Sequence, residues 1–476
     1  MDKKITANYF YNLIYQILLI ISPVITVPFL ARSLGVSGVG EYSYCYSLTG
    51  YFIMVATLGC DIYGRREISY VKDSKFDISK RFWSIQLIKT FSTLIVMIVY
   101  IVFSINNDNK IMLFILGIHL LNVPLNIGWF FQGIERFKMI TTRGLIMKII
   151  DLLFVIIFIR KPSDLMLYTF GSSFIAFITF FVLWIDLKNY LGYVSLKQLS
   201  IIKDLKQCMV FFLPSVATSI YTMLDKTMLG SMTGNFLENG YYEQAIKINL
   251  IFLRVVLALG TVLLPTIAYS YKQGDFENVK NNIKKSMKYV YFISFPIALG
   301  LLVASDLFVP WFFGAGFEKV SVLLKISGFI LIFQGIGDVI GVQYLVTTGK
   351  QNKYIVSLFL GAFCNFLCNV SFIPKLQSIG AILASLISEC IIVCVQLYLI
   401  RKDFSLTKLI RLCKKYILAS IIMFIVIYPI SKFMSPTIID TTLVGIIGVC
   451  VYIVSLFFMR DEFVMNIVCA IKNRIK

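Results

Sequence analysis

Glu243, Lys247 and Arg254 interrupt an apolar stretch, 241–269, at spacings of four and seven residues. On a helix those spacings put all three on one face. At 1.5 Å per residue, Lys247 sits roughly 9 Å and Arg254 roughly 20 Å below the outer end of that stretch. A charge in hydrocarbon costs at least ~2.5 kcal/mol, so such groups face a bundle interior or a wet cavity. Glu243 and Lys247 are i and i+4 neighbours. Arg254 has no acid within a turn. It either holds an anionic ligand or meets an acid from another element, because snorkelling from mid-membrane is strained.

Other charges fall inside apolar runs as well. Asp225-Lys226 lies roughly 10 Å below the outer end of 209–232 by the same rise, level with Lys247, so Asp225 and Lys247 can pair. Lys148 and Asp151, three apart, neutralise each other. Glu389 is mid-depth in 379–400 with no adjacent partner. A lone carboxyl there either keeps its proton and serves as a proton site or is hydrogen-bonded in place. Lys89 lies within two turns of the inner end of its span and can snorkel, while Asp61, Asp306 and Asp338 fall near span ends and read as interfacial. Asn8, Asn12 and Gln16 form a stripe on the first apolar run, beside Tyr15. Amides there bind sugar hydroxyls from a cavity wall or glue helices together, and three in register favour the wall. Pro23 and Pro28 can kink that helix into a gate.

The elements that must carry these residues are membrane spans. The chain has 476 residues, 58% hydrophobic and 15% charged, against roughly 25% charged in soluble domains. Runs of about 20 apolar residues, enough to cross ~30 Å of hydrocarbon, recur throughout. We place spans at 8–30, 42–62, 82–104, 111–132, 142–160, 165–185, 209–232, 241–269, 288–313, 320–346, 354–373, 379–400, 416–434 and 440–459. The run after Met1-Asp2-Lys3-Lys4 is too long for a signal-peptide core and reads as a helix that stays. Most of the 45 Lys and Arg fall in alternate loops, including Arg65-Arg66, Lys284-Lys285 and Lys414-Lys415. The positive-inside rule then puts both termini in the cytoplasm and accounts for the net +20 without nucleic acid.

Outer loops of about ten residues or fewer leave little scaffold for catalysis on that face. The ten cysteines mostly sit in apolar runs as packing residues. Cys364 with Cys368, and Cys390 with Cys394, lack the further ligands of a metal site. His119 reads as packed rather than as a proton relay, and the aromatics as interfacial belts.

The chain repeats itself. Gly35, Gly40 and Tyr42 answer Gly234, Gly240 and Tyr242, and Leu58-Gly59 answers Leu259-Gly260. The turn from Gly133 through Glu135 and Arg136 answers the one from Gly349 and Lys350. Both matches are six spans apart, so the copies share an orientation, related by an axis along the membrane normal. The expected fold class is all-α and polytopic: an N-lobe (1–208), a C-lobe (209–403) and two further helices with a tail (404–476). A substrate path between lobes follows from that design.

Three segments resemble bacterial polysaccharide repeat-unit flippases. They are Pro124-Leu-Asn-Ile-Gly-Trp129-Phe-Phe-Gln-Gly133-Ile-Glu135-Arg136-Phe-Lys138, Val27-Pro28-Phe-Leu-Ala-Arg32-Ser-Leu-Gly35 with Gly40-Glu41-Tyr42, and Tyr221-Thr-Met-Leu-Asp225-Lys226-Thr-Met-Leu-Gly230 with Gly240-Tyr-Tyr. The resemblance implies the V-shaped fold of the multidrug/oligosaccharidyl-lipid/polysaccharide superfamily. It implies turnover of an undecaprenyl-pyrophosphate-linked oligosaccharide to the outer leaflet by alternating access, for O-antigen, capsule or a similar polymer. Arg254, Lys247, Lys226 and Arg32 would then meet the pyrophosphate, and Asn8, Asn12 and Gln16 the sugar. Asp225, Glu243, Glu389, Lys148 and Asp151 are left for charge pairing or for coupling to H+ or Na+. No cofactor is implied beyond that ion. Partners would be the lipid-linked substrate, membrane lipids, a polymerase and a chain-length regulator.

An ion-coupled drug or metabolite antiporter of the same superfamily is the alternative, but such proteins favour acidic cavities and the deep charge here is mainly basic. A glycosyltransferase or polymerase would carry a large outer loop with catalytic residues, so no enzyme is expected. A Walker ATPase is excluded at Gly349-Lys350, where Gln351 follows and Tyr344 replaces the upstream Gly.

Overall fold

Gly35 turns the chain for the first time. It holds φ 72° and ψ 175° inside one helical run, α1 (Lys3–Thr57). The spans expected at 8–30 and 42–62 therefore meet at a kink with no loop between them. In this computed structural model residues 3–465 are described, with the backbone alone at 3–21, 137, 214, 215 and 217–222. The side chains of Asn8, Asn12 and Gln16 lie outside the described residues.

After α1 come α2 (Cys60–Tyr70) and α3 (Lys75–Ile105). Ser74 caps α3, its hydroxyl accepting from the Asp77 N–H at 3.3 Å. The span expected as one helix over 111–132 is broken instead into α4 (Lys110–Leu116), α5 (Ile118–Leu125) and α6 (Gly128–Gly133). The second break has a local cause. Pro124 has no N–H to give, Asn126 is extended, and the Asn126 side chain takes the Gly128 N–H at 3.1 Å. Next are α7 (Phe137–Phe158), α8 (Leu165–Leu187) and α9 (Ile201–Thr233).

The chain divides into two compact units. One holds Met1–Ser231 with Asn235–Gly240, the other Met232–Gly234 with Tyr241–Lys476. Thus α9 packs with the helices before it, whereas the internal repeat opens its second copy at 209. Among the described residues, two buried clusters lie in the first unit. One gathers Leu34, Tyr100, Leu113, Leu116 and Ile159. In the other, Trp129 stacks on Phe82 (5.5 Å between centroids) and Phe130 meets it edge-on (5.2 Å), so the Gly-Trp-Phe-Phe segment is the core of that region.

The second unit continues α10 (Phe236–Lys272) into α11 (Phe276–Phe313), α12 (Glu318–Ile340), α13 (Gln351–Leu376), α14 (Ser378–Ile400), α15 (Leu406–Arg411), α16 (Lys414–Ser431) and α17 (Ile438–Phe458). A π-helical turn, Gly341–Val346, prolongs α12. Asp275 caps α11 (2.9 Å to the Asn278 N–H) and Thr437 caps α17 (3.2 Å to the Asp440 N–H).

The repeat is visible in backbone conformation. Gly35 and Gly234 both take positive φ, 72° and 61°, at equivalent turns. After α6, Arg136 N–H reaches Phe131 O (2.9 Å) and Glu135 N–H reaches Gln132 O (3.1 Å). After the π turn, Lys350 N–H reaches Leu345 O (2.7 Å) and Gly349 N–H reaches Val346 O (3.1 Å). These are the same helix-ending motif. Its left-handed residue is Glu135 in one copy (φ 60°) and Gly349 in the other (φ 74°). The match read from sequence, Gly133 with Gly349, is therefore two residues out of register.

Among the described residues ten helices are long and apolar enough to cross a membrane. The described part of α1 continues with α2 as one of these ten. The expected spans at 142–160, 209–232 and 416–434 are the helices α7, α9 and α16 but do not stand among them. In α7 the reason is charge, since Arg143, Lys148 and Asp151 fall in every stretch long enough to span.

Candidate functional site

On α10 the helical spacing sets the charges as expected. Lys247 Nζ lies 3.3 Å from Glu243, and both are largely buried. Two turns on, Arg254 is exposed, with no ion-pair partner among the described residues. A guanidinium keeps its charge and carries five N–H donors shaped for a phosphate oxygen pair. The neighbouring turns of α10 carry buried amides, Gln244 and Asn249.

A polar column runs through the second unit. Gln343 Nε2 donates to Asp338 at 2.9 Å from within the π turn. Gln396 Nε2 donates to Ser357 at 3.2 Å, and Asn369 Nδ2 to Asn365 at 3.0 Å. Gly260 of α10 is glycine because a Cβ there would overlap the Gln343 amide. Glu389 of α14 is 6% exposed. Expected to stand alone, it engages a neighbour. Gln343, Ser357, Asn365 and Gln396 escaped the sequence reading. The signal was available, since each is a polar residue inside an apolar run like the amides of the first helix.

In the first unit, Lys89 does not snorkel. Its side chain is 1% exposed and its ammonium meets Asp61 at 2.5 Å and the Asn126 carbonyl at 2.9 Å. Snorkelling would carry the ammonium out to water, whereas here it is held inside by Asp61 and the Asn126 carbonyl. Asp61, expected as interfacial, is the partner. The break after α5 explains the arrangement. Its three carbonyls are each taken by a side chain: Pro124 O by Gln86 (2.7 Å), Leu125 O by Trp184 (2.9 Å) and Asn126 O by Lys89. Non-helical backbone survives at membrane depth only when so satisfied.

A second buried carboxylate, Asp204 in the first turn of α9, accepts from Tyr63 (2.7 Å), Arg81 (2.7 Å) and Ser84 (2.6 Å). It ties α2, α3 and α9 together beside the touching thiols Cys60 and Cys208, 3.6 Å apart. Lys148 and Asp151 pair at 2.9 Å. Asp225 is buried and Lys226 half-buried, its carbonyl held by Asn239 Nδ2 at 2.7 Å. Arg32 is exposed and engaged. His119 bonds Ser173 at 3.1 Å and packs edge-on to Tyr46. No group of three or more His, Cys, Asp or Glu is disposed to hold a metal among the described residues.

These helices and their buried polar columns define an all-α, multi-pass membrane protein. The fold is that of two solved transporters. One is the lipid II flippase MurJ in an inward closed conformation, with TM-score 0.77, 18% identity, and 95% of this chain and 100% of that chain covered. The other is a MATE-family multidrug resistance transporter of the MOP superfamily, with TM-score 0.63, 14% identity, and 83% and 96% covered. Residues 5–271 match the polysaccharide biosynthesis protein family, and the chain belongs to it. A protein of Escherichia coli (strain K12) named for O-antigen transport is 22% identical over 80% of this chain and 93% of its own length. The lipopolysaccharide biosynthesis protein WzxC of the same organism is 29% identical over 35% of this chain and 33% of its own.

Proposed function

We propose that this chain is a flippase that carries a lipid-linked oligosaccharide repeat unit from the inner to the outer leaflet of a bacterial cytoplasmic membrane. It acts by alternating access and makes or breaks no covalent bond. The product feeds a surface polysaccharide such as O-antigen or capsule, where a polymerase and a chain-length regulator would take it up. The basic loops support a topology with both termini in the cytoplasm. The internal repeat supports lobes at 1–208 and 209–403, followed by 404–476.

The observation that carries this reading is Arg254, an exposed cation on a membrane-length helix of a polysaccharide biosynthesis protein, with no acid against it among the described residues. A diphosphate head group is the anion such a group serves, and Lys247, Lys226 and Arg32 are the further cations along its path. Asn8, Asn12 and Gln16 are assigned to the sugar. Glu389 and Asp225 are the carboxylates on which coupling to H+ or Na+ would act.

The test is complementation of a strain lacking its own flippase, scored as polysaccharide at the surface. Arg254→Ala is expected to insert normally and fail to complement. An inserted Arg254→Ala that restores surface polysaccharide overturns the assignment. Glu389→Gln is expected to blunt transport driven by the proton gradient. Unchanged transport in the wild type after that gradient is collapsed removes the coupling.

A further inference from the structure

Asp338 is a carboxylate inside a membrane-length helix with no lysine or arginine against it among the described residues. Asp61, Asp151, Glu243, Asp306 and Asp403 each have a lysine within 3.3 Å. Expected at the interface, Asp338 lies roughly 12 Å before the end of the run Glu318–Val346. A lone charge at that depth is costly, so the position asks for a cation from outside the chain. Asp338 is half-buried, which leaves a small ion a way in.

Its surroundings supply oxygens. In an α-helix Gln343, five residues on, would stand about 140° round from Asp338. The π turn Gly341–Val346 brings it back to the same side, where its Nε2 donates to Asp338 Oδ2 at 2.9 Å. Gln343 is 2% exposed, and its Oε1 is buried with no hydrogen-bond partner among the described residues. The same is true of Gln396 Oε1 on α14, in a residue wholly buried. That oxygen faces Gly337, next to Asp338, 3.8 Å from where a Cβ would be. Unpaired buried acceptors are costly, so two of them beside a lone carboxylate point to a ligand that takes several oxygens at once.

We propose that Asp338, Gln343 and Gln396 form a sodium site, the carboxylate supplying the charge and the two amides the remaining protein oxygens. The ion replaces the Nε2–H at Asp338, and the Gln343 amide turns to meet it with Oε1. A proton on Asp338 would serve one acceptor and leave the other unpaired. Divalent ions are held by several carboxylates, and no group of three or more His, Cys, Asp or Glu forms among the described residues. The use of the ion, to drive turnover of the substrate, rests on the flippase reading. Its binding does not, and is read without transport.

The purified full-length chain in detergent is titrated with radioactive sodium in a choline buffer of constant ionic strength, and its melting temperature is followed over the same range. Saturable uptake is expected, with a melting temperature that rises with sodium and not with choline. Asp338→Asn buries no charge and should stay folded, as gel filtration would show, while binding sodium at least about tenfold more weakly. Gly260→Ala pushes on the Gln343 amide and should weaken binding several-fold. Asp306→Asn, whose carboxylate already has Lys325, is the control and should bind as the wild type does. A wild-type chain that takes up no sodium overturns the proposal. So does undiminished uptake in Asp338→Asn, or an equal loss in Asp306→Asn.

Discussion

Gly40 and Gly240, the paired glycines of the internal repeat, pack directly against each other in the first unit. A Cβ on Gly40 would overlap the Phe236 carbonyl oxygen and stand 2.6 Å from Gly240 N. One on Gly240 would overlap Val36 O and stand 2.8 Å from Val36 Cγ1. Two backbones come this close only without side chains, which is why both repeats keep glycine here.

Gly40→Ala and Gly240→Ala are each expected to cost roughly 1–3 kcal/mol by forcing those backbones apart. Gly300→Ala, where a Cβ meets nothing within 4 Å, is the control and should be neutral or slightly stabilising. Thermal unfolding in detergent compares the three. Equal melting temperatures would mean the glycine contact does not hold.

Lys89→Met removes the ammonium from Asp61 and from Asn126 O together. We expect a loss of about 3 kcal/mol, toward the low end for a broken buried pair because the Asp61 side chain is 35% exposed. Adding Asp61→Asn to that variant removes the stranded carboxylate and should recover part of the loss. A double mutant whose cost equals the sum of the two singles would show no coupling between them.

Asp204→Leu should destabilise by about 3 kcal/mol, since it leaves Arg81 only its 3.9 Å contact with Glu67 and deprives two hydroxyls of their acceptor. Asp204→Asn keeps acceptor geometry toward Tyr63 and Arg81 and should cost about half as much. Ser84→Ala is then informative. It should cost about 1 kcal/mol in the wild type and nothing measurable beside Asp204→Leu, read from denaturant midpoints.

Lys350 and Asp403 pair at 2.6 Å where α13 begins and α14 has ended. Burial, the largest single influence, would raise the Asp403 carboxyl, but hydrogen bonds with Lys350 and Tyr344 and the charges of Lys350 and Lys353 together hold it below its ordinary range. Burial would lower Lys350, but bonds to Asp403 and Tyr344 hold it above its ordinary value. A depressed carboxyl stabilises above its unfolded pKa and loses that contribution as pH falls through the folded value. A raised amine stabilises below its unfolded pKa and loses it as pH rises through the folded value. The pair should therefore contribute between about pH 4 and pH 10. In Asp403→Asn the melting temperature should drop across that window and converge with wild type below it. A constant offset at every pH would point to packing instead.

The sequence by itself determined the helices, since apolar length and a 3.6-residue period are local properties of the chain. It likewise placed Glu243, Lys247 and Arg254 on one face, because i to i+4 and i to i+7 neighbours need no other element. It announced the repeat through Gly35 and Gly234. It left Lys89 pointing the wrong way, hid the break in 111–132 and misaligned Gly133 with Gly349. The direction of Lys89 and the survival of the break were tertiary decisions. The donors that satisfy the broken helix come from Gln86, Lys89 and Trp184, 37 to 59 residues from the carbonyls they reach. Whether a buried charge finds a partner depends on what packing brings to it, which no local period encodes.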